Sequence, residues 1–265
     1  MNLELLSMTA IKNFIRVMGR TIIKISKALL LLFIISCFAS CKKADEPLSL
    51  KTTSANLTST KTFKLNVSPG TSGCVFESEN EYIASVSSSG LITAHLLGET
   101  NITVNNIEKG FSAKCKVTVQ PEHSLYKEPY LNFGASRIGI RDYETRYLYQ
   151  EDDTSLIYVG ENSSIIGVFY ILDYEDYYEC MCLVSAANPD LFEDFISERY
   201  YLLDTDNEFR TLMTPDSKTL IGIESGITID SDPFYVVYYV PYPDSKSKEI
   251  FKQKSDWIKT FFRKH

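Results

Sequence analysis

The chain has 265 residues, 44% hydrophobic and 23% charged, with 27 Lys and Arg against 34 Asp and Glu, a formal charge of −7. Residues 1–40 hold five cations and one acid, so residues 41–265 carry 22 cations and 33 acids, a charge of −11. A polyanion without a concentrated basic face repels phosphate backbones, which argues against a nucleic-acid partner. The 225 residues after position 40 contain no long Gly/Ser or Gln/Asn tract and are enough for two modest folded domains.

Five cations (Lys12, Arg16, Arg20, Lys24, Lys27) precede an apolar run at 28–39. About a dozen residues fall short of the roughly 20 that a spanning helix needs. A basic flank, a short apolar core and small residues before a cysteine fit a secretion signal. Two Ser-Cys sites end the run, Ile34-Ile35-Ser36-Cys37 and Phe38-Ala39-Ser40-Cys41. This layout resembles bacterial lipoprotein signals, in which a peptidase cuts before a diacylated cysteine. Cys41 is the expected attachment site, because the following Lys42-Lys43-Ala44-Asp45-Glu46 resembles the charged tether and surface-export signal of lipoproteins from Bacteroidetes-type bacteria. Cys37, with an aliphatic residue three positions before it, is the alternative, and an ordinary cleaved signal is a further reading. Counted from Met1 the basic region is unusually long; counted from Met18 it has normal length. The resemblance implies a signal at 1–40 and a lipidated tether at 41–46. It also implies an N-terminal diacylglycerol and acyl modification with no other cofactor, and a lipid bilayer as partner. The implied location is the outer membrane facing the cell surface, or alternatively the periplasm.

Residues 47–120 alternate apolar and polar side chains between turn signals. Phe63, Leu65 and Val67 precede Ser68-Pro69-Gly70; Cys74 and Phe76 share a face; Ala113, Cys115, Val117 and Val119 close the series. Short strands at this spacing predict a β-sandwich. Cys74-Val75-Phe76-Glu77-Ser78-Glu79-Asn80, Ile83-Ala84-Ser85-Val86, Ser89-Gly90-Leu91-Ile92-Thr93-Ala94, Gly98 and Cys115-Lys116-Val117-Thr118-Val119 resemble the bacterial Ig-like domain, group 2, of intimin- and invasin-type surface proteins. Phe76 stands where that family often has Trp. The resemblance implies a spacer or presentation module. On this reading Cys74 and Cys115 point inward, and a disulfide between them is expected if their sheets face each other; two buried free thiols are the alternative.

Pro121 and Pro129 bracket a stiff linker at 121–129, and 16 of the 17 tyrosines lie beyond residue 120. In 130–244, Ser136 caps a predicted helix carrying Ile140, Tyr143 and Tyr147. Asn188-Pro189-Asp190 starts a second helix, with Leu191, Phe192, Phe195 and Ile196 on one face. Strands are predicted at 156–159, 165–172 and 178–184 after the first helix, and at 209–213, 219–223 and 235–240 after the second, with a hairpin turn at Asp216-Ser217-Lys218. The predicted fold class is mainly β: an Ig-like β-sandwich followed by an α+β domain with an antiparallel sheet and helices on one face. This domain resembles the C-terminal domains that accompany the Ig-like module in uncharacterised Bacteroidetes lipoproteins. Residues 245–265 read as a basic amphipathic helix, with Ile250, Phe251, Trp257, Ile258, Phe261 and Phe262 among lysines. Such a helix suits a membrane surface, a partner, or the domain's own core.

No catalytic or metal site is expected. His95, His123 and His265 all lie outside 130–244, so a Ser-His or Cys-His apparatus has no base there. Cys180-Met181-Cys182 lacks two further soft ligands for a metal and reads as core thiols. The run at 204–208 offers oxygens to Ca²⁺ without an EF-hand's glycine and spacing. Carboxylates at 151–153, 173–179 and 230–232 fall in turns, where acids serve solubility more often than a glycosidase pair. Tyr235 and Tyr239 share one strand face and are candidate ligand-contact aromatics, against the reading that β-rich domains simply use tyrosine in strands. The expected function is non-enzymatic: an envelope lipoprotein presenting a recognition domain for a glycan or protein. A structural or assembly subunit is the alternative, and a small carboxylate-based hydrolase the least favoured. Cys41→Ala should shift the protein from the membrane to the soluble fraction while Cys37→Ala leaves it bound; the reverse pattern in fractionated cells reassigns the anchor.

Overall fold

Each alternating run of residues 47–120 becomes a strand because one of its two faces can be buried. The nine strands are β1 (Ser49–Leu50), β2 (Ser54–Thr58), β3 (Thr62–Lys64), β4 (Val67–Ser68), β5 (Cys74–Ser78), β6 (Ala84–Val86), β7 (Leu91–Ala94), β8 (Gly98–Asn106) and β9 (Phe111–Gln120). They form a four-stranded sheet β2-β9-β8-β5, a three-stranded sheet β3-β7-β6 and the short pair β1-β4. Only the β2–β9 pair is parallel. Ile102, Val104, Cys115, Val117 and Val119 of the first sheet meet Ala84, Ile92 and Ala94 of the second in one core. Gly90, in the Ser-Gly-Leu turn, has φ +80°, and a Cβ there would press on the Phe76 ring at 2.9 Å. The aromatic at position 76 and the glycine at 90 are therefore fitted to each other.

The computed structural model describes residues 47–173, 176–205 and 209–242, together with Asn13, Arg16 and Met18. The chain divides into two compact units, Met1–Glu46 and Pro47–His265. Apart from those three residues, the signal lies outside the described residues, as do the tether, Cys37, Cys41, 206–208 and the tail at 245–265.

The expected Cys74–Cys115 disulfide is not present; both cysteines are free. They belong to one sheet rather than to facing sheets, with β8 between their strands. Cys74 pairs with Asn106, whereas Cys115 pairs with Ile102. A full strand spacing on either side of β8 plus a four-residue offset places their Cα atoms far beyond the roughly 7 Å a disulfide can bridge. Cys115 is buried, which raises its thiol pKa and keeps it protonated.

The second domain follows helix-then-strands logic twice. Helix α1 (Arg137–Tyr143) has Ser136 as N-cap, accepting from Gly139 N. Helix α2 (Pro189–Ser197) has Asn188 as cap, Pro at its start and Asp190 in the first turn. After α1 come β10 (Leu148–Glu151), β11 (Ser155–Asn162), β12 (Ile165–Asp173) and β13 (Asp176–Ser185); after α2 come β14 (Tyr201–Thr205), β15 (Phe209–Met213), β16 (Thr219–Ile229) and β17 (Asp232–Pro241). All eight strands form one sheet, ordered β10-β11-β12-β13-β17-β16-β15-β14, with every pairing antiparallel. Each half is a four-strand meander, and the halves join through their last strands, Cys180 opposite Tyr239 and Cys182 opposite Val237. The predicted hairpin turn is present, with Ser217 at φ 57°.

Both helices pack on one face. Ile140, Phe192, Phe195 and Ile196 close over Val168, Tyr170, Cys180, Cys182, Ile221, Val237 and Tyr239. The second face gathers Ile157, Phe169, Met181, Leu183, Leu220, Val236 and Tyr238, which are also buried. Cys180-Met181-Cys182 behaves as the alternation requires, with both thiols on the helix side. Among the described residues no helix is long and apolar enough to cross a membrane.

Gly160 sits where β11 bulges between Val159 and Asn162, and a Cβ on it would overlap the carbonyl of Ile165. Gly160→Ala must push one backbone off another, so it should lower the unfolding free energy by about 2–3 kcal/mol. Denaturant midpoints test this; an unchanged midpoint would mean the hairpin does not approach this closely.

Candidate functional site

Among the described residues, the fold draws a set of polar groups together along one boundary. They join the two domains. Helix α2 ends at Glu198, whose side chain is 6% exposed. Its carbonyl accepts from Leu97 N of the sandwich at 2.7 Å. Its carboxylate accepts from Glu122 N at 3.2 Å, His123 N at 3.2 Å and His123 Nδ1 at 2.7 Å. One residue thereby holds the sandwich, the linker and the second domain. Arg199 extends the joint: its guanidinium lies 3.6 Å from the Phe195 ring centroid and donates to the Phe195 carbonyl at 2.9 Å. Two further contacts lie along the same boundary. Asn80 Nδ2 donates to Pro215 O at 2.8 Å, and the rings of Tyr82 and Tyr201 stack at 4.1 Å. Glu79, Asn80, Glu81 and Tyr82 face Pro215, Asp216 and Ser217 across an open cleft of about 600 Å³.

The linker is likewise fixed. Leu125 and Tyr126 are buried in the second domain's core. The Tyr126 hydroxyl meets that of Tyr239 at 2.9 Å, and Tyr200 reaches both Tyr239 and Glu128. Burial pushes the hydroxyl pKa of Tyr126, Tyr200 and Tyr239 well up, so these groups stay protonated and act as neutral hydrogen-bonding partners. Nearby, Arg146 is held by Glu144 at 2.7 Å and Glu161 at 2.6 Å, and Tyr170 donates to Glu144. These buried charges are paired and hydrogen-bonded, as interior charges must be.

The candidate contact aromatics require correction. Tyr239 is fully buried under α2, and Tyr235 stacks on Phe192 at 4.1 Å. Both belong to the helix-covered face, so Tyr239 cannot touch a ligand and the exposed part of Tyr235 is an edge at most. The exposed tyrosines of the sheet lie elsewhere. Tyr149 on edge strand β10 and Tyr147 just before it, 66% and 75% exposed, flank Leu148, next to half-exposed Val159. β14, which carries the Tyr201 stack onto the sandwich, is the opposite edge. Seven interstrand spacings separate them, about 33 Å.

No catalytic constellation assembles among the described residues. Ser85 Oγ and His95 Nε2 are 2.8 Å apart on the exposed sandwich surface, without a hydrogen-bonded carboxylate orienting the ring. His123 serves the joint. Of the turn acids, Glu151 pairs with Arg137 at 3.1 Å and Asp152 accepts from Thr154 N at 2.9 Å. No group of three or more metal-ligating side chains occurs among the described residues; within 204–208 only Asp204 and Thr205 are described. Sequence reasoning missed the Glu198 joint. Its one visible signal is a Glu-Arg pair placed directly after the apolar face of α2.

The Glu198 carboxylate raises the His123 pKa, with smaller contributions from Asp194 and Glu122. A raised folded pKa means the contribution is complete below about pH 6.5, the ordinary histidine value, and is lost as pH rises through the folded value. Thermal melts of the native chain should therefore fall across that window, and His123→Gln should flatten this dependence. Glu198→Ala, which removes the acceptor of the Glu122 and His123 N–H groups, should cost about 2 kcal/mol; a pH-independent native melt, or a neutral Glu198→Ala, contradicts the joint.

No curated protein matches the chain significantly. Residues 45–117 match the bacterial Ig-like domain (group 2), a module that suggests a non-catalytic, adhesion-like or structural role.

Proposed function

We propose that this chain is a lipid-anchored envelope protein whose Ig-like module presents the second domain for non-catalytic recognition of a glycan or protein. The anchor is the acylated Cys41, or Cys37 in its place, and the protein sits in the outer membrane with its body facing outward. A Bacteroidetes-type surface lipoprotein is the class that this arrangement fits.

The observation that carries the reading is the placement of the exposed tyrosines. The sandwich docks at one edge of the eight-stranded sheet, and Tyr147 and Tyr149 stand on the other. The joint at Glu198 is built from backbone groups as well as side chains, so it fixes the direction in which that edge points. Tyrosine supplies a large contact area at low entropy cost and stacks on sugar or peptide. A presentation module and a held-out aromatic edge together suit binding rather than turnover.

Glycan and peptide arrays probed with the native chain should give ligands at micromolar levels. Tyr147→Ala/Tyr149→Ala should weaken them tenfold or more, about 1.4 kcal/mol, while leaving the thermal melt in place because both side chains are exposed. Binding that survives this double substitution removes the edge from the reading. Binding to neither array, with envelope proteins co-purifying, favours the assembly role instead.

A further inference from the structure

Two clefts adjoin on the surface where the sandwich meets the second domain. The first, about 600 Å³, separates residues 79–82 of the sandwich from Pro215, Asp216 and Ser217 in the β15–β16 turn. The second, about 530 Å³, lies over Glu99, Thr100 and Asn101 of β8 and Lys116 of β9. Glu79 and Asn80 line both, so the two form one groove. Each volume falls within the roughly 300–1,000 Å³ of small-molecule sites, which favour domain boundaries. Charge narrows the ligand. Glu79 has Lys114 at 2.6 Å, Glu99 has Lys116 at 2.8 Å and Asp216 has Lys218 at 4.0 Å. Three of the four lining acids are thus offset, so the groove holds no strong field for a polycation, while its carboxylates repel an anion. Among the described residues no three side chains converge as metal ligands.

Neutral polar chemistry is what remains. Asn80, Asn101 and the carboxylates are planar groups that donate or accept in pairs, and Ser217 adds a hydroxyl. The vicinal hydroxyls of a sugar ring, each both donor and acceptor, match such a lining. A sugar also needs an apolar surface for its C–H face, and Tyr82 supplies one. Tyr201 stacks on its ring at 4.1 Å, yet Tyr82 stays 50% exposed. A peptide would want apolar pockets for its anchors, and only Tyr82 and Pro215 of the lining are apolar. We propose that the groove is a second binding site, independent of the edge that carries Tyr147 and Tyr149, and that its ligand is a neutral oligosaccharide. The bound sugar touches both domains where Asn80 already donates to Pro215 O, so occupancy stabilises the boundary itself.

A glycan array with neutral, sulfated and sialylated members, probed with the native chain, tests this. Neutral glycans should be retained, their sulfated forms more weakly, and the retained glycan should raise the melting temperature. Glu81 is exposed and its side chain makes no hydrogen bond among the described residues, so Glu81→Arg should leave the unliganded melt in place. It fills the groove and reverses a charge, and should weaken binding tenfold or more. Asn101→Ala, in the adjoining cleft, should weaken it in the same direction and serves where Glu81→Arg fails to fold. Tyr147→Ala/Tyr149→Ala should leave this binding unchanged. No neutral glycan retained, tighter binding of sulfated forms, or full binding in both groove variants overturns the proposal. Binding lost in the tyrosine double variant but kept in both groove variants also overturns it, while upholding the far edge as a recognition site.

Discussion

The antiparallel ladder between β13 and β17 is the constraint to which the second domain answers. It sets Cys180 against Tyr239 and Met181 against Tyr238, and so sorts the side chains of both meanders to two faces. Because both central strands are apolar on both sides, neither face tolerates water, and the domain must be layered on each. The first layer is built from two short helices and the linker. The helices are only 7 and 9 residues long, too short to be stable alone. They hold because Ile140, Phe192, Phe195 and Ile196 find a prepared surface, and Leu125 and Tyr126 fill what they leave open.

That use of the linker connects folding to the relation between the two domains. A segment whose side chains complete a core cannot act as a hinge, and here it is also fastened at Glu122 and His123 by Glu198 and Arg199. The sandwich is bonded to the same point through Leu97. Two domains connected by a polar boundary usually move relative to one another. This pair instead shares one residue, Glu198, whose carbonyl accepts from the sandwich at Leu97 and whose carboxylate accepts from the linker at Glu122 and His123. The rigidity gives the tyrosines at the far edge a defined direction, which free rotation would blur.

Much of this could be read from the chain, for identifiable reasons. The runs at 165–172, 178–184 and 235–240 are central strands, and their continuous apolar character announces it. The caps Ser136 and Asn188 mark both helices. β10 and β14 were invisible because they are edges: Tyr201–Thr205 is mostly exposed and alternates with nothing. Tyr235 and Tyr239 share one face of β17, as alternation requires, and Phe234, Val236 and Tyr238 lie on the other. What alternation cannot say is whether the opposite set is covered as well, and this turned core tyrosines into apparent surface ones. The cysteine pair failed on the same kind of ground. Period-two reasoning gives direction, whereas the sheet to which a strand belongs is a matter of topology. Glu198 lay beyond reach altogether, since its partners at 97, 122 and 123 converge only in three dimensions.

The joining of two equivalent meanders at their last strands is the geometry of a two-fold dimer contained in one chain. Within each half all pairings are between neighbours in sequence, so each meander closes quickly. The seam is different: Ser185 must wait for Phe234. During synthesis the first half therefore exists for a time with β13 as a bare apolar edge, the most association-prone surface a β protein can show. The β13 edge of a second nascent copy presents the same residues as its own, so the interval before β17 arrives is the window in which this protein is open to strand exchange between copies. Conditions that shorten that window should matter more to its yield than the stability of the finished fold.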